Sequence, residues 1–203
     1  MLSVYDLYVL GLSNRFIWRC PTHKILDLYN RLVTDRHLDV GVGTGFYLDR
    51  ARFPSKHPRI DLMDINPLAL SRTAQRIRRY RPNCILRDVS GTPDAIVQRY
   101  DSIAINYLLH CLPGRLEEKG GSVLSNLVPL LSPSGGCLFG ATILGAGTRH
   151  NPVSRRLLAF YNRKSIFGNL FDSDEQLENL LKAHFDRYDL EVNGCVALFA
   201  GYR

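Results

Sequence analysis

The sequence has no apolar run near the roughly 20 residues that a membrane-spanning helix needs. Its opening, MLSVYDLYVLGLSNRF, has no basic start, carries Asp6 early and holds only a short apolar run, which argues against a secretory signal. A cytoplasmic chain with no membrane partner is expected. Five cysteines (Cys20, Cys84, Cys111, Cys137 and Cys195) form no C-x-x-C pair and no metal-ligand spacing. Their number is odd and their neighbours are mostly apolar, which suits small buried hydrophobes in a reducing compartment, with no metal expected. There are no repeats, low-complexity tracts or long linkers, so 203 residues are expected to form one domain, 1–203, with a sizeable core.

Acidic residues are outnumbered, 19 against 26 Lys and Arg, giving a formal charge of +7. Much of that excess sits in RTAQRIRRYRP, where Arg72, Arg76 and Arg79 would share one helix face and Leu70, Ala74 and Ile77 another. A solvated amphipathic face explains this stretch. A nucleic-acid footprint would call for a run of interleaved aromatics or a second basic stripe; the stretch holds one aromatic, Tyr80, and there is no second stripe.

Hydrophobic periodicity alternates between strand and helix. Residues 1–20, with Tyr5, Tyr8, Phe16 and Trp18, read as helical, and 22–33 as a helix with Thr22 as N-cap. Strands are expected at 36–40, 59–65, 84–89, 100–108 and 135–144. Helices are expected near 44–53, from Pro67 with Asn66 as N-cap, near 92–98, over 116–131 and near 152–163. A further helix opens at DSDEQLENLLKAHF, where Asp172 and Glu175 match a capping box. The end reads as two strands around Asn193-Gly194, a hairpin signal. The class is therefore α/β: a doubly wound, mainly parallel seven-stranded sheet with a C-terminal antiparallel hairpin strand and helices on both faces.

The informative stretch is HLDVGVGTGFYL, 37–48, a strand running into glycines on alternate positions. No Lys follows them, so a phosphate-binding P-loop is excluded. A dinucleotide turn needs a third glycine where Phe46 stands, at a close approach of helix and strand. The pattern is instead Gly41, Gly43, Gly45, preceded by Asp39.

LDVGVGTG resembles the first motif of the class I S-adenosylmethionine (SAM) methyltransferases. The resemblance implies that Asp39, Gly41, Val42, Gly43 and Gly45 face the amino-acid part and ribose of SAM, where glycines let the backbone approach. It implies that Asp64, ending the second strand beside Ile65, takes both ribose hydroxyls, two donors to one carboxylate. Asp88 would accept from the adenine amino group, with the Val89 N–H reaching the ring. Each acid alone also reads as a strand-end turn residue; their order after successive strands is what carries the family. INYLLHCLPG is similar to the family's fourth-strand segment, with Asn106 and Tyr107 at the cofactor and Cys111 in place of a second His. The Asn-Pro-Pro-Tyr motif of amino methyltransferases is absent. LSPSGGCLFG and the terminal hairpin complete the likeness, which covers most of 35–203.

Methyl transfer from a sulfonium is an in-line displacement in which the protein mainly positions donor and acceptor. His110, just past the fourth strand, is the candidate general base or substrate hydrogen-bond partner, or else a packing histidine. In this family the N-terminal segment, here 1–34, and the insertion after the fifth strand, here 145–171, cover the site. Tyr5, Tyr8, Trp18, Tyr161 and Phe167 are the candidate pocket walls, with helical core packing the other reading, and Arg19 is a candidate for the SAM carboxylate. A small-molecule acceptor, a secondary metabolite, is expected, with S-adenosylhomocysteine (SAH) as product and a monomer or homodimer as the assembly. Two alternatives stay open: an RNA or protein methyltransferase using helix 67–81, and a SAM-binding regulator without turnover.

Overall fold

The computed structural model describes residues 13–91 and 98–203. Tyr5, Tyr8 and the helix expected near 92–98 lie wholly or largely outside them. Seven strands form one sheet: β1 (Arg36–Val40), β2 (Arg59–Asp64), β3 (Asn83–Leu86), β4 (Ser102–Asn106), β5 (Cys137–Ile143), β6 (Arg187–Asn193) and β7 (Val196–Tyr202). Their order is β3-β2-β1-β4-β5-β7-β6. The first five pair in parallel, and β7 runs antiparallel between β5 and β6.

The parallel strands are apolar on both faces, as a doubly covered sheet requires. Leu38, Val40, Ile103 and Ile105 pack on one side against α4 (Leu116–Leu127) and α6 (Asp174–His184). Ile60, Leu62, Ala104 and Phe139 pack on the other against α1 (Thr22–Leu32), α2 (Phe46–Arg50) and α3 (Pro67–Arg76). Leu158 of α5 (Pro152–Arg163) joins this second core. The chain moves outward from β1 to β3, then returns to β4 beside β1. That reversal opens a crevice at the carboxyl ends of β1 and β4, where open α/β sheets bind ligands.

Several boundaries differ from the sequence expectation, each for a physical reason. Thr22 is the first residue of α1, after Pro21, and its hydroxyl accepts from Asn14 Nδ2 at 3.2 Å instead of capping the helix. Residues 13–17 form a π-type turn. The helix expected over 44–53 shrinks to five residues because Gly45 before it is left-handed, at φ +68°. β3 ends at Leu86, and Asp88 folds into a side-chain turn, accepting from the Ser90 N–H at 2.8 Å. α4 tightens into a 3-10 turn at Val128–Leu130, since Pro129 has no N–H to continue the helix. The capping box of α6 is Ser173 with Gln176, one residue beyond the expected Asp172 and Glu175. Asp172 is unavailable because its carboxylate is buried in an ion pair with Lys119. The hairpin turn is likewise shifted by one: Asn193 pairs with Val196, and Gly194 supplies the positive φ of +60° at the first central position. The Asn66 cap is as expected, accepting from the N–H groups of Leu68 and Ala69.

Candidate functional site

Two segments meet at the crevice. The first is the glycine turn after β1, where Gly41, Gly43 and Gly45 all have positive φ, between +53° and +72°. Side-chain space divides their roles. A Cβ on Gly41 would meet Leu108 Cδ1 at 2.9 Å, and one on Gly45 would meet Thr73 Cγ2 at 2.7 Å. Among the described residues a Cβ on Gly43 would meet nothing within 4 Å, so this glycine borders space they leave open. Val42 is buried in the core beside the turn. Phe46 turns away and lies partly buried, with the Arg50 and Arg76 guanidiniums over its ring.

Arg76 and Arg79 pair with Asp49 of α2, and Arg76 also donates to the Thr44 carbonyl at 2.9 Å. These two members of the basic stretch are spent inside the fold, fastening α3 and the turn behind it to the helix that follows the glycines. Asp39 is buried, at 4% exposure, and accepts the Tyr29 hydroxyl at 2.9 Å. That bond and the burial of the ring push the Tyr29 phenol well above its ordinary pKa.

Asp64 accepts the Asn66 N–H through Oδ1 at 2.8 Å, and its other oxygen has no hydrogen bond among the described residues. Asp88 has the same arrangement with Ser90. Beside these acids Ile65 and Leu86 are 68% and 63% exposed, an apolar surface at the ends of β2 and β3. Val89 is buried, and its carbonyl accepts from Asn126 Nδ2 at 2.7 Å.

The second segment follows β4. Asn106 carries a buried Oδ1 with no hydrogen-bond partner among the described residues. Tyr107 sits at φ +58°, an uncommon conformation for a residue with a large side chain. Its N–H donates to the Ala141 carbonyl at 2.7 Å and its hydroxyl to Asn14 Oδ1 at 3.0 Å. Asn14 is 1% exposed and also donates toward Tyr47 Oη at 3.5 Å, tying the N-terminal segment to both sides of the crevice.

His110 is 3% exposed, and its Nδ1 accepts the Ile143 N–H at 3.2 Å. That bond fixes the neutral tautomer, with the proton on Nε2. Burial, and secondarily the Lys119 ammonium, lower its pKa from 6.5 to about 3. His110 is therefore a neutral N–H donor at ordinary pH and has no free lone pair with which to take a proton.

Aromatic rings gather around it. Phe167 lies 4.6 Å from the His110 ring between centroids, Tyr107 5.4 Å, Tyr161 4.8 Å from Phe167, and Trp18 6.1 Å from Phe167. Of the residues expected as pocket walls, Trp18 and Tyr161 thus meet at Phe167, which itself lies against His110. Arg19 points elsewhere, donating to the Arg149 carbonyl. Sequence reasoning missed Asn14, Tyr47 and the pair Lys119–Asp172. Lys119 did carry a signal: it stands between Leu116 and Val123 on the apolar stripe of α4. Among the described residues no His, Cys, Asp and Glu cluster suits a metal, and no helix is long and apolar enough to cross a membrane.

Known proteins resemble this chain in sequence and fold. The family described as a methyltransferase domain matches residues 38–138. The chain is 34% identical over 201 residues to demethylluteothin O-methyltransferase of Streptomyces thioluteus, covering 99% of this chain and 86% of that protein. It is 36% identical over 212 residues to methyltransferase aurB of Calcarisporium arbuscula, covering 98% and 91%. The fold is shared with the N-methyltransferase NodS of Bradyrhizobium japonicum in complex with SAH, at a TM-score of 0.61, 17% identity, and 90% and 86% coverage. With a seven-stranded sheet of this order and relatives matched over nearly its whole length, the chain belongs to the class I SAM-dependent methyltransferases.

Proposed function

We propose that the chain methylates a hydroxyl group of a small-molecule metabolite, with His110 donating a hydrogen bond to the acceptor oxygen. The observation that carries this reading is His110 itself: a neutral Nε2–H donor flanked by Tyr107 and Phe167, with Tyr161 against Phe167, just beyond β4. Such a donor stabilises developing or existing negative charge on oxygen. It offers nothing to an ammonium acceptor, which would have to lose a proton first. An acceptor hydroxyl acidic enough to ionise unaided suits a site whose histidine is not a base. The relative named for demethylluteothin supports an oxygen acceptor on a metabolite, and by this analogy a secondary metabolite.

The residues at the crevice fit SAM. The open space at Gly43 leaves room for backbone approach, and the orphaned Asn106 Oδ1 needs a donor such as the ligand's amino group. Asp64 has one oxygen uncommitted for a ribose diol, and Ile65 and Leu86 offer apolar surface to a flat base. Asp88 and the Val89 backbone stand at the same edge for the adenine amino group and ring. Asp39 supports the turn from below through Tyr29. When bound, SAM supplies an electrophilic methyl on a sulfonium that leaves readily. The protein's part is to align the acceptor, exclude water with Trp18, Tyr161 and Phe167, and hold a proton at His110 Nε2. In this reading the stretches 1–34 and 145–171 are the lid and the substrate-side wall.

The test is incubation with methyl-labelled SAM and a microbial metabolite extract, with the product identified by mass spectrometry and its linkage by NMR. An O-methyl product supports the proposal. An N-methyl product contradicts the acceptor assignment, and SAH binding without any methylated product favours a binder without turnover.

A further inference from the structure

The substrate-side wall hangs on a buried cation. Lys119 of α4 has a side chain only 3% exposed. Its ammonium donates to the Gly168 carbonyl at 2.6 Å and the Leu112 carbonyl at 3.3 Å, and forms an ion pair with Asp172 Oδ2 at 2.7 Å. Both ends of the insertion after β5 are gathered here. The Asp172 carbonyl accepts the N–H groups of Gly145 and Ala146, each at 3.0 Å, while the Gly168 N–H donates to the His110 carbonyl at 2.9 Å. The approach at Gly168 is tight: a Cβ there would meet the Leu112 carbonyl oxygen at 2.4 Å. Phe167 is the residue next to it.

Burial works against the charges of this pair. Desolvation raises the Asp172 carboxyl despite the pull of Lys119, and buried pairs of this kind are often no more stabilising than apolar residues of the same volume. What the clasp does set is the place of one ring.

We infer that Lys119, clasped by Asp172 and the Gly168 and Leu112 carbonyls, is a positioning residue that holds Phe167 against His110 and thereby sets acceptor selectivity. This rests on reading the aromatic cluster as the acceptor site. No contact between Lys119 and SAM is involved, so cofactor affinity is outside its reach.

The test uses the full chain and two variants. Lys119→Met/Asp172→Asn removes both charges together and leaves no orphan ion. Gly168→Ala keeps both charges and pushes the same segment away from Leu112. Trp18 is the sole tryptophan of the chain, so its fluorescence reports on the cluster directly. In both variants acrylamide should quench Trp18 several-fold more strongly, while calorimetric titration with SAH stays at the wild-type affinity. With labelled SAM and the metabolite extract, KM for the main wild-type acceptor should rise about tenfold with a smaller change in kcat, and new products should appear. Wild-type quenching and an unchanged product pattern, with only a lowered melting temperature, overturn the inference. A wild-type protein that methylates nothing in the extract counts against the acceptor reading itself. The quenching comparison then still decides whether the clasp holds the ring.

Discussion

His110 offers a prediction that needs no substrate. In the folded chain its pKa is lowered to about 3, against 6.5 for a free imidazole. Between those values the unfolded chain binds a proton that the folded chain refuses. Falling pH therefore favours unfolding, and this contribution to stability, complete above pH 6.5, is lost as pH drops toward 3. The slope is at most about 1.4 kcal/mol per pH unit, and over the full interval the ceiling is roughly 5 kcal/mol. Other groups titrate in the same range, so the comparison must be differential. His110→Gln keeps an acceptor for the Ile143 N–H and a donor in place of Nε2–H but binds no proton. Urea unfolding of both proteins across about pH 4 to 5.5, roughly one unit inside the two limits, measures the difference. The wild type should lose stability faster, by close to one proton's worth of slope. Parallel slopes would mean that His110 titrates alike in both states, and the fixed tautomer would fall with it. The same logic predicts an acceptor kcat/KM with no inflection from His110 near pH 6.5, and a loss of roughly tenfold to a hundredfold in His110→Ala.

Three other expectations follow from local geometry. Gly45→Ala sets a Cβ against Thr73 at 2.7 Å in a left-handed conformation, and should lower unfolding free energy by about 2 kcal/mol or more in urea titrations. Gly43→Ala meets open space instead and should cost only the roughly 1 kcal/mol of conformational strain while weakening SAH binding in calorimetry. Ser173→Ala removes the cap of α6 and should cost about 1 kcal/mol, whereas Glu175→Ala should be near neutral; equal effects in thermal unfolding would refute the observed register.

Much of the fold was legible because its signals are local. β1 runs into left-handed glycines, Asn66 caps a helix opening on Pro67, and Gly194 turns the final hairpin, each within four or five residues of chain. The strand order has no local signal and comes from the structure alone. Errors of one residue arose where a distant partner decided the outcome. Asp172 looks like a cap until Lys119 claims it, and Thr22 looks like one until Asn14 does. The aromatic cluster could not be assembled from sequence, because Trp18, His110 and Phe167 come from three separate segments. The tautomer of His110 was out of reach for the same reason: it depends on the Ile143 N–H in another strand.

The central claim is that SAM is held at the carboxyl ends of β1 and β2, between the glycine turn and Asp64. Calorimetric titration of SAH into the wild type and Asp64→Ala tests it most directly. The carboxylate would accept from two ribose hydroxyls, and a charged hydrogen bond contributes about 1.5–3 kcal/mol, so affinity should fall roughly tenfold to a hundredfold with the fold intact by circular dichroism. Equal SAH affinity in the two proteins would contradict the assignment of this crevice as the cofactor site.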